Sequence, residues 1–283
     1  MEYFSTNRKS AHASFREATL NGQPDDLGLY FPERIPKLSA KFRRDFATKS
    51  KEQIAFEVIK PFVGETIDDA TLFQICAETV CFDFPLIEIT GNISTLELFH
   101  GATLAFKDVG ARFMSRCLRY FSREKSEKTI VIVATSGDTG GAVAAGFYDV
   151  ENVEVVILYP KGKVSKVQEL QLTTLGKNIS ALEVNGTFDD CQTLAKQSLA
   201  DEEIKKKVFL TSANSINVAR WLPQQFYYFY ALQQWNKRVQ SPESRVQSFV
   251  FRAETSATFA PDFWRTSPVC RARNLSRRRT PTT

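Results

Sequence analysis

Thr129-Ile130-Val131-Ile132-Val133-Ala134-Thr135-Ser136-Gly137-Asp138-Thr139-Gly140-Gly141 is a β-branched apolar run that breaks into a glycine-rich turn. The run is short and continuously apolar rather than alternating. That is the pattern of a strand buried on both faces, as in a parallel sheet covered by helices. The turn opens a helix near Ala142. A glycine-rich strand-to-helix turn presents backbone N–H groups at a helix N-terminus, where the helix dipole also favours anions. Its place at the carboxyl end of a parallel strand is where open α/β sheets bind ligands. The turn is neither a P-loop nor GxGxxG, because no GK[ST] follows and the glycine spacing differs. It also reads as a plain helix cap through Ser136 or Asp138.

Outward from this unit the chain repeats the theme. Apolar strands are expected at 85–90, 153–159, 179–184 and 208–211, with helical patterns between them. Val109, Phe113, Cys117 and Phe121 recur every fourth residue and mark one buried helix face. The alternation predicts an α/β fold of open, mostly parallel sheets flanked by helices. The first 90 residues mix short helical patterns with loops such as 21–26 and 28–36. Three segments follow: residues 1–95, a catalytic α/β region at 96–240, and an Arg-rich tail at 241–283.

Composition excludes several classes. Hydrophobic content of 43% and charged content of 24% are ordinary for a globular protein. There is no run of eighteen apolar residues and no apolar stretch within MEYFSTNRKS. Neither a membrane span nor a secretory signal is expected, and the cytoplasm is the expected location. The five cysteines form no CxxC pair and only His12 and His100 could join them, so reduced thiols and no metal site are expected. The net charge of +5 lies entirely in residues 241–283, which hold eight arginines, no lysine and three acids. With a neutral body, a nucleic-acid partner is not expected. Oligomeric state is not legible.

Four groups could carry chemistry. Lys107, in Leu104-Ala105-Phe106-Lys107-Asp108, opens an amphipathic helix beside apolar neighbours. Desolvation there would lower the amine's pKa and suit Schiff-base chemistry; the alternative is an exposed lysine paired with Asp108. The turn Ser136, Gly137, Asp138 and Thr139 is the anion-binding candidate. Thr211-Ser212-Ala213-Asn214-Ser215-Ile216-Asn217-Val218-Ala219-Arg220 again runs from strand to helix. Its Asn214, Ser215 and Arg220 suit a phosphate monoester, or else form an ordinary cap with a surface arginine. Lys161-Gly162-Lys163-Val164-Ser165-Lys166 could attract an anion or be a solvated turn. The aromatic run 226–230 reads as packing, and His100 is a site candidate only through its nearness to Lys107 in sequence.

Taken in order, the segments LELFHGATLAFKDVGARF (96–113), VATSGDTGGAVAAGF (133–147), VVILYPKGKVS (155–165), QLTTLG (171–176), GTFDDCQ (186–192) and TSANSINVAR (211–220) resemble the threonine synthase family. This is a family of fold-type II pyridoxal-phosphate enzymes with a tryptophan synthase β-like fold, and the resemblance runs from about residue 3 to 235. It implies a lyase that converts O-phospho-L-homoserine and water to L-threonine and phosphate, the last step of threonine biosynthesis. It also implies that Lys107 carries pyridoxal 5'-phosphate, that Phe106 lies near the cofactor ring, and that Ser136, Gly137, Asp138 and Thr139 hold the substrate's carboxylate end. Asn214, Ser215 and Arg220 would hold its phosphate. One departure is Ala102, where the family usually has proline in HGPT. Another fold-type II lyase or dehydratase, or an inactive truncated relative, is the alternative.

The tail departs further. The resemblance implies a later loop PSGNFGN around the cofactor phosphate, yet residues 251–258 read FRAETSAT. Joining the third base of each codon there to the first two of the next permits CCG, AGC, GGA, AAC, TTC, GGC and AAC, which spell PSGNFGN. Residues 276–283 permit AATNAND in the same frame. The tail is therefore read as out of frame, with the shift between about Asn236 and Val246, and the chain as given is expected to be inactive. Sequencing the DNA across codons 236 to 250 checks this: the alternative frame should encode the loop, and DNA that does not encode it overturns the reading.

Overall fold

The structure, a computed structural model, describes residues 1–90, 93–123 and 127–238. The tail from 241, and with it the out-of-frame reading, lies outside these residues.

The chain opens with β1 (Glu2–Ser5), β2 (Ala13–Ser14) and β3 (Tyr30–Pro32), an antiparallel sheet in the order β2-β1-β3. Helix α1 (Phe15–Asn21) starts at a capping box in which Ser14 and Glu17 satisfy each other's backbone N–H groups. Helices α2 (Ala40–Asp45), α3 (Lys51–Val63) and α4 (Asp69–Thr79) follow. Ser50 and Gln53 form a second capping box at α3. The short strands were missed in the sequence because each spans only two to four residues, too few to show an alternating period.

The strand expected at 85–90 forms as β4 (Leu86–Thr90), but it pairs antiparallel with β5 (Ile93–Leu96) in a separate hairpin. It is not part of the parallel sheet. Of its five residues only Leu86 is buried, so its apolar composition misled the assignment.

The parallel sheet begins after α5 (Asp108–Phe121). Then come β6 (Thr129–Ala134), α6 (Asp138–Phe147), β7 (Val153–Pro160), α7 (Lys166–Thr173), β8 (Ile179–Val184), α8 (Phe188–Ala200), α9 (Glu202–Lys205) and β9 (Phe209–Ser212). The strand order is β8-β7-β6-β9, every pair parallel. Central β6 shows why its sequence is apolar throughout. Val131 and Val133 face the main core with Phe113, Val143 and Phe147. Ile132 and Ala134 face a second cluster with Leu158, Cys191 and Ala195. The predicted face of α5 is fully interior: Val109, Phe113, Cys117 and Phe121 are all buried.

After α10 (Val218–Trp221), α11 (Phe226–Arg238) runs back through the N-terminal layer. The main core is continuous across these layers and includes Phe15, Ile54, Ile75, Phe113, Val133 and Phe226. Gln233 Nε2 donates to the carbonyls of Phe46 and Lys49, and Tyr230 donates to the carbonyl of Lys51. The Gln234 amide bridges the Phe84 carbonyl and the Leu86 N–H. Among the described residues no helix is long and apolar enough to cross a membrane.

Helix α5 meets α10 at Gly110. A Cβ there would lie 2.4 Å from the Arg220 carbonyl oxygen, which is backbone and cannot swing away. Alanine is worth up to about 1 kcal/mol over glycine in a helix interior, but overpacking costs roughly 1–3 kcal/mol. Gly110→Ala should therefore lower the unfolding free energy in urea titration; an increase would show that the two helices can part at little cost.

Candidate active site

Lys107 sits at the N-cap of α5 with αR backbone angles (φ −72°, ψ −12°) and makes no capping bond with its side chain. The side chain instead turns inward and is only 7% exposed. Its Nζ donates to Asp138 Oδ1 and to Thr139 Oγ1, each at 2.8 Å. It also lies 5.7 Å from the Phe106 ring centroid. The reading of an exposed lysine paired with Asp108 fails on both points. Asp108 is buried and bonds to the turn before it, where its carboxylate accepts the Thr103 N–H at 2.9 Å and the Thr103 hydroxyl. A Cβ on Gly101 would meet Asp108 Oδ2 at 2.3 Å, so that turn needs its glycine. Ala102 occupies the place of the family's proline in a turn already held by Asp108.

The glycine-rich turn lies opposite Lys107. Helix α6 starts at Asp138 rather than near Ala142, and its N-cap is Gly137, with no side-chain capping bond. Gly137 has φ +149°, a conformation that favours glycine, and a Cβ there would also strike the Gln168 side chain of α7 at 2.4 Å. The cap readings for Ser136 and Asp138 are therefore not what forms: Ser136 is exposed, and Asp138 Oδ1 accepts the Thr139 N–H at 2.8 Å while holding Lys107. Thr135 shapes the turn, its Oγ1 accepting from the Gly137 and Gly140 N–H groups at 2.9 and 2.8 Å. The sequence reading missed it. Its signal was a hydroxyl residue at the strand end, two positions before a glycine, which suits a side-chain-to-backbone turn.

The loop after β9 reaches the same end of the sheet. Asn214 spends its amide on the end of β6, donating to the Ala134 carbonyl at 3.0 Å and accepting from the Ala134 N–H at 3.3 Å. The cap of α10 is neither Asn214 nor Ser215. It is Asn217, whose Oδ1 accepts the Ala219 N–H and whose Nδ2 donates to the Thr19 and Ser212 carbonyls. Ser215 is half-buried. Arg220, read in one alternative as a surface residue, has no exposed area at all. Its Nη1 donates to the Ala213 carbonyl, while Nε and Nη2 find no hydrogen-bond partner among the described residues. Burial pulls its pKa down to about 10, against the opposing pull of Asp138 first and then of Tyr227 and Asp108.

Other candidates fall away. Lys161, on the exposed loop, and Lys166, at the start of α7, pair with Glu183 and Glu169, as on a solvated surface. The His100 ring bonds to Glu97 at 2.8 Å. The aromatic run is core, as expected, and within it the Tyr227 hydroxyl donates to the Phe106 carbonyl while that of Tyr230 donates to the Lys51 carbonyl.

The carboxyl end of the parallel α/β sheet thus gathers an inward-turned lysine, a glycine-rich helix N-terminus and a buried guanidinium. The family model described as pyridoxal-phosphate dependent enzyme matches residues 92–260, and the chain belongs to that family. A second model, for the threonine synthase N terminus, matches residues 2–80. The chain is 40% identical over 239 residues to the threonine synthase of Escherichia coli K12, covering 83% of this chain and 54% of the relative. It is 40% identical over 246 residues to that of Buchnera aphidicola from Baizongia pistaciae, covering 85% and 56%. Solved relatives include PLP-bound threonine synthase from Brucella melitensis, with TM-score 0.79 and 37% identity over 88% of this chain and 54% of that one. The Escherichia coli structure gives TM-score 0.78 and 38% identity over 88% and 56%. The chain thus spans about half the length of the curated relatives it matches.

The half-paired guanidinium has a measurable cost. A buried charged group without partners destabilises a fold, and apolar replacements of similar volume are often neutral or better. Arg220→Met should leave the unfolding free energy within about 1 kcal/mol of the parent, or raise it, despite the lost bond to Ala213. A loss above about 3 kcal/mol in denaturant titration would show that Arg220 is chiefly structural.

Proposed function

We propose that this chain carries the catalytic half-site of a threonine synthase, acting on O-phospho-L-homoserine and water to give L-threonine and phosphate. The observation that carries the reading is the meeting of Lys107 Nζ with Asp138 and Thr139 at the α6 N-terminus. The residues present fit pyridoxal phosphate: the amine is inward-turned, an aromatic ring lies beside it, and a helix N-terminus faces it. Lys107 would hold the cofactor covalently, with Phe106 near its ring. When bound, the cofactor supplies an electron sink that no side chain provides.

The protein's own groups do the rest. The turn Ser136–Thr139 receives the substrate's carboxylate, where N–H groups and the helix dipole favour a negative charge. Lys107, once free, takes the proton from the substrate Cα and helps move a proton at Cβ. Asp138 and Thr139 keep Nζ aimed while this happens. Arg220, with two unspent donor nitrogens, faces the substrate phosphate together with Ser215 and holds it before and during departure from Cγ. Asn214 is committed to Ala134 in this structure, so its support of the phosphate is through the shape of the loop. The four described cysteines are free, in keeping with a cytoplasmic setting.

The test uses the form carrying the PSGNFGN loop beside the 283-residue chain. Borohydride treatment with pyridoxal phosphate, followed by peptide mapping, should label Lys107; a label on Lys161 or Lys163 instead overturns the assignment. The loop-containing form should release phosphate and threonine from O-phospho-L-homoserine in preference to turning over serine or threonine. Arg220→Ala in that form should lower kcat/KM about ten- to a hundredfold, as expected for a lost hydrogen bond to a charged group, with the cofactor spectrum retained. Preferential turnover of serine or threonine would assign a dehydratase instead.

A further inference from the structure

We infer that Tyr227, on α11, is a positioning residue for Lys107, its hydroxyl fixing the backbone from which the lysine side chain springs. The inference rests on the reading of Lys107 as the cofactor lysine. It begins from a structural oddity. A reactive lysine at a helix N-cap lies on the least constrained turn of a helix, because the first N–H groups lack intrahelical partners. Lys107 makes no capping bond with its side chain, so its segment is held locally by backbone bonds such as Asp108 N–H to Ala105 and Ala111 N–H to Lys107.

Two buried side chains add to this, one from the neighbouring residue and one from a distant helix. On one side the Asp108 carboxylate holds Thr103 and packs on Gly101, tethering the incoming turn. On the other, the Tyr227 hydroxyl donates to the carbonyl oxygen of Phe106, the residue before the lysine. The Val109 N–H, two residues after the lysine, faces the same phenolic oxygen. The hydroxyl therefore holds the chain just before Lys107, with the Val109 N–H on its other side. Burial, and after it the Asp108 carboxylate, push this phenol well above its usual range, so it stays protonated and keeps its donor.

The ring itself is anchored independently. It packs against Phe84 with centroids 5.4 Å apart, and α11 is tied to the N-terminal layer through Tyr230, Gln233 and Gln234. The hydroxyl thus transmits the rigidity of a buried helix to a helix start that has little of its own. A side chain that stayed in place without its hydroxyl would leave the packing intact and free the lysine segment alone.

Tyr227→Phe in the 283-residue chain tests this, with Tyr230→Phe as the control, since Tyr230 donates to Lys51 away from the lysine. Residue-resolved hydrogen exchange and the rate of borohydride-trapped pyridoxal phosphate at Lys107 are the readouts. In Tyr227→Phe the amides of 107–109 should exchange about tenfold faster and trapping should slow, while thermal unfolding stays near that of Tyr230→Phe. Tyr230→Phe should change neither local readout. Incorporating 3-fluorotyrosine at 227, which keeps the donor, should restore both. Exchange at 107–109 that matches the Tyr230→Phe control, or a rise spread evenly through α5 and α11, overturns the inference, as does failure of the fluorotyrosine form to restore. If the parent chain traps no cofactor on Lys107, trapping in the loop-containing form decides the cofactor reading, and the exchange comparison in the 283-residue chain still decides whether Tyr227 fixes this segment.

Discussion

Taking two cations out of water at one end of the sheet is the constraint around which this structure is organised. Lys107 and Arg220 are both interior, and an unpaired interior charge is costly. Asp138, itself half-exposed, offsets Lys107 directly and Arg220 at longer range, while Asp108 adds a buried carboxylate. These carboxylates must be held in turn. Asp138 is the first residue of α6, a start that exists because Gly137 adopts φ +149° and Thr135 satisfies two N–H groups of the turn. Asp108 is locked by Thr103. The chain has thus arranged its turns to serve its charges, and among the described residues Arg220 is left with two donor nitrogens to spare. A fold that optimised stability alone would not leave them so.

Much of the architecture was legible because burial leaves a periodic trace. The apolar run 129–134 announced a strand covered on both faces, and β6 does face two cores. The four-residue recurrence from Val109 to Phe121 announced the inner face of α5. Where the trace was too short, as in β1 to β3, the strands were missed, and where apolar residues stand on an exposed hairpin, as in β4, the strand was right but its partner was not. Local rules cannot weigh partners from other elements, and pairing in this sheet depends on them.

The site was legible in a different way. No local pattern said that Lys107 turns inward, since the groups that receive it stand about thirty residues on. Helix caps were misjudged for the same reason: Gly137 replaces a side-chain cap because Gln168 crowds it from another helix, and Asn217 displaces Asn214, whose amide is used on Ala134. What the order of segments did reveal was their resemblance to a family, and with it the residues to watch. Tyr227 escaped both routes, because an aromatic residue among aromatic residues carries no mark of its polar tip.

Helix α11 also sets an order of events. Phe46, Lys49, Lys51, Phe84 and Leu86 receive their partners from residues 230 to 234, which emerge from the ribosome some 150 to 190 positions later. Contacts so distant in sequence form slowly, and a segment awaiting them keeps apolar surface exposed. The N-terminal layer therefore cannot close while it is being made. It waits for the aromatic helix, and the same arrival that seals this core brings Tyr227 to the carbonyl beside the lysine, so that closing the core and fixing the lysine segment coincide in time.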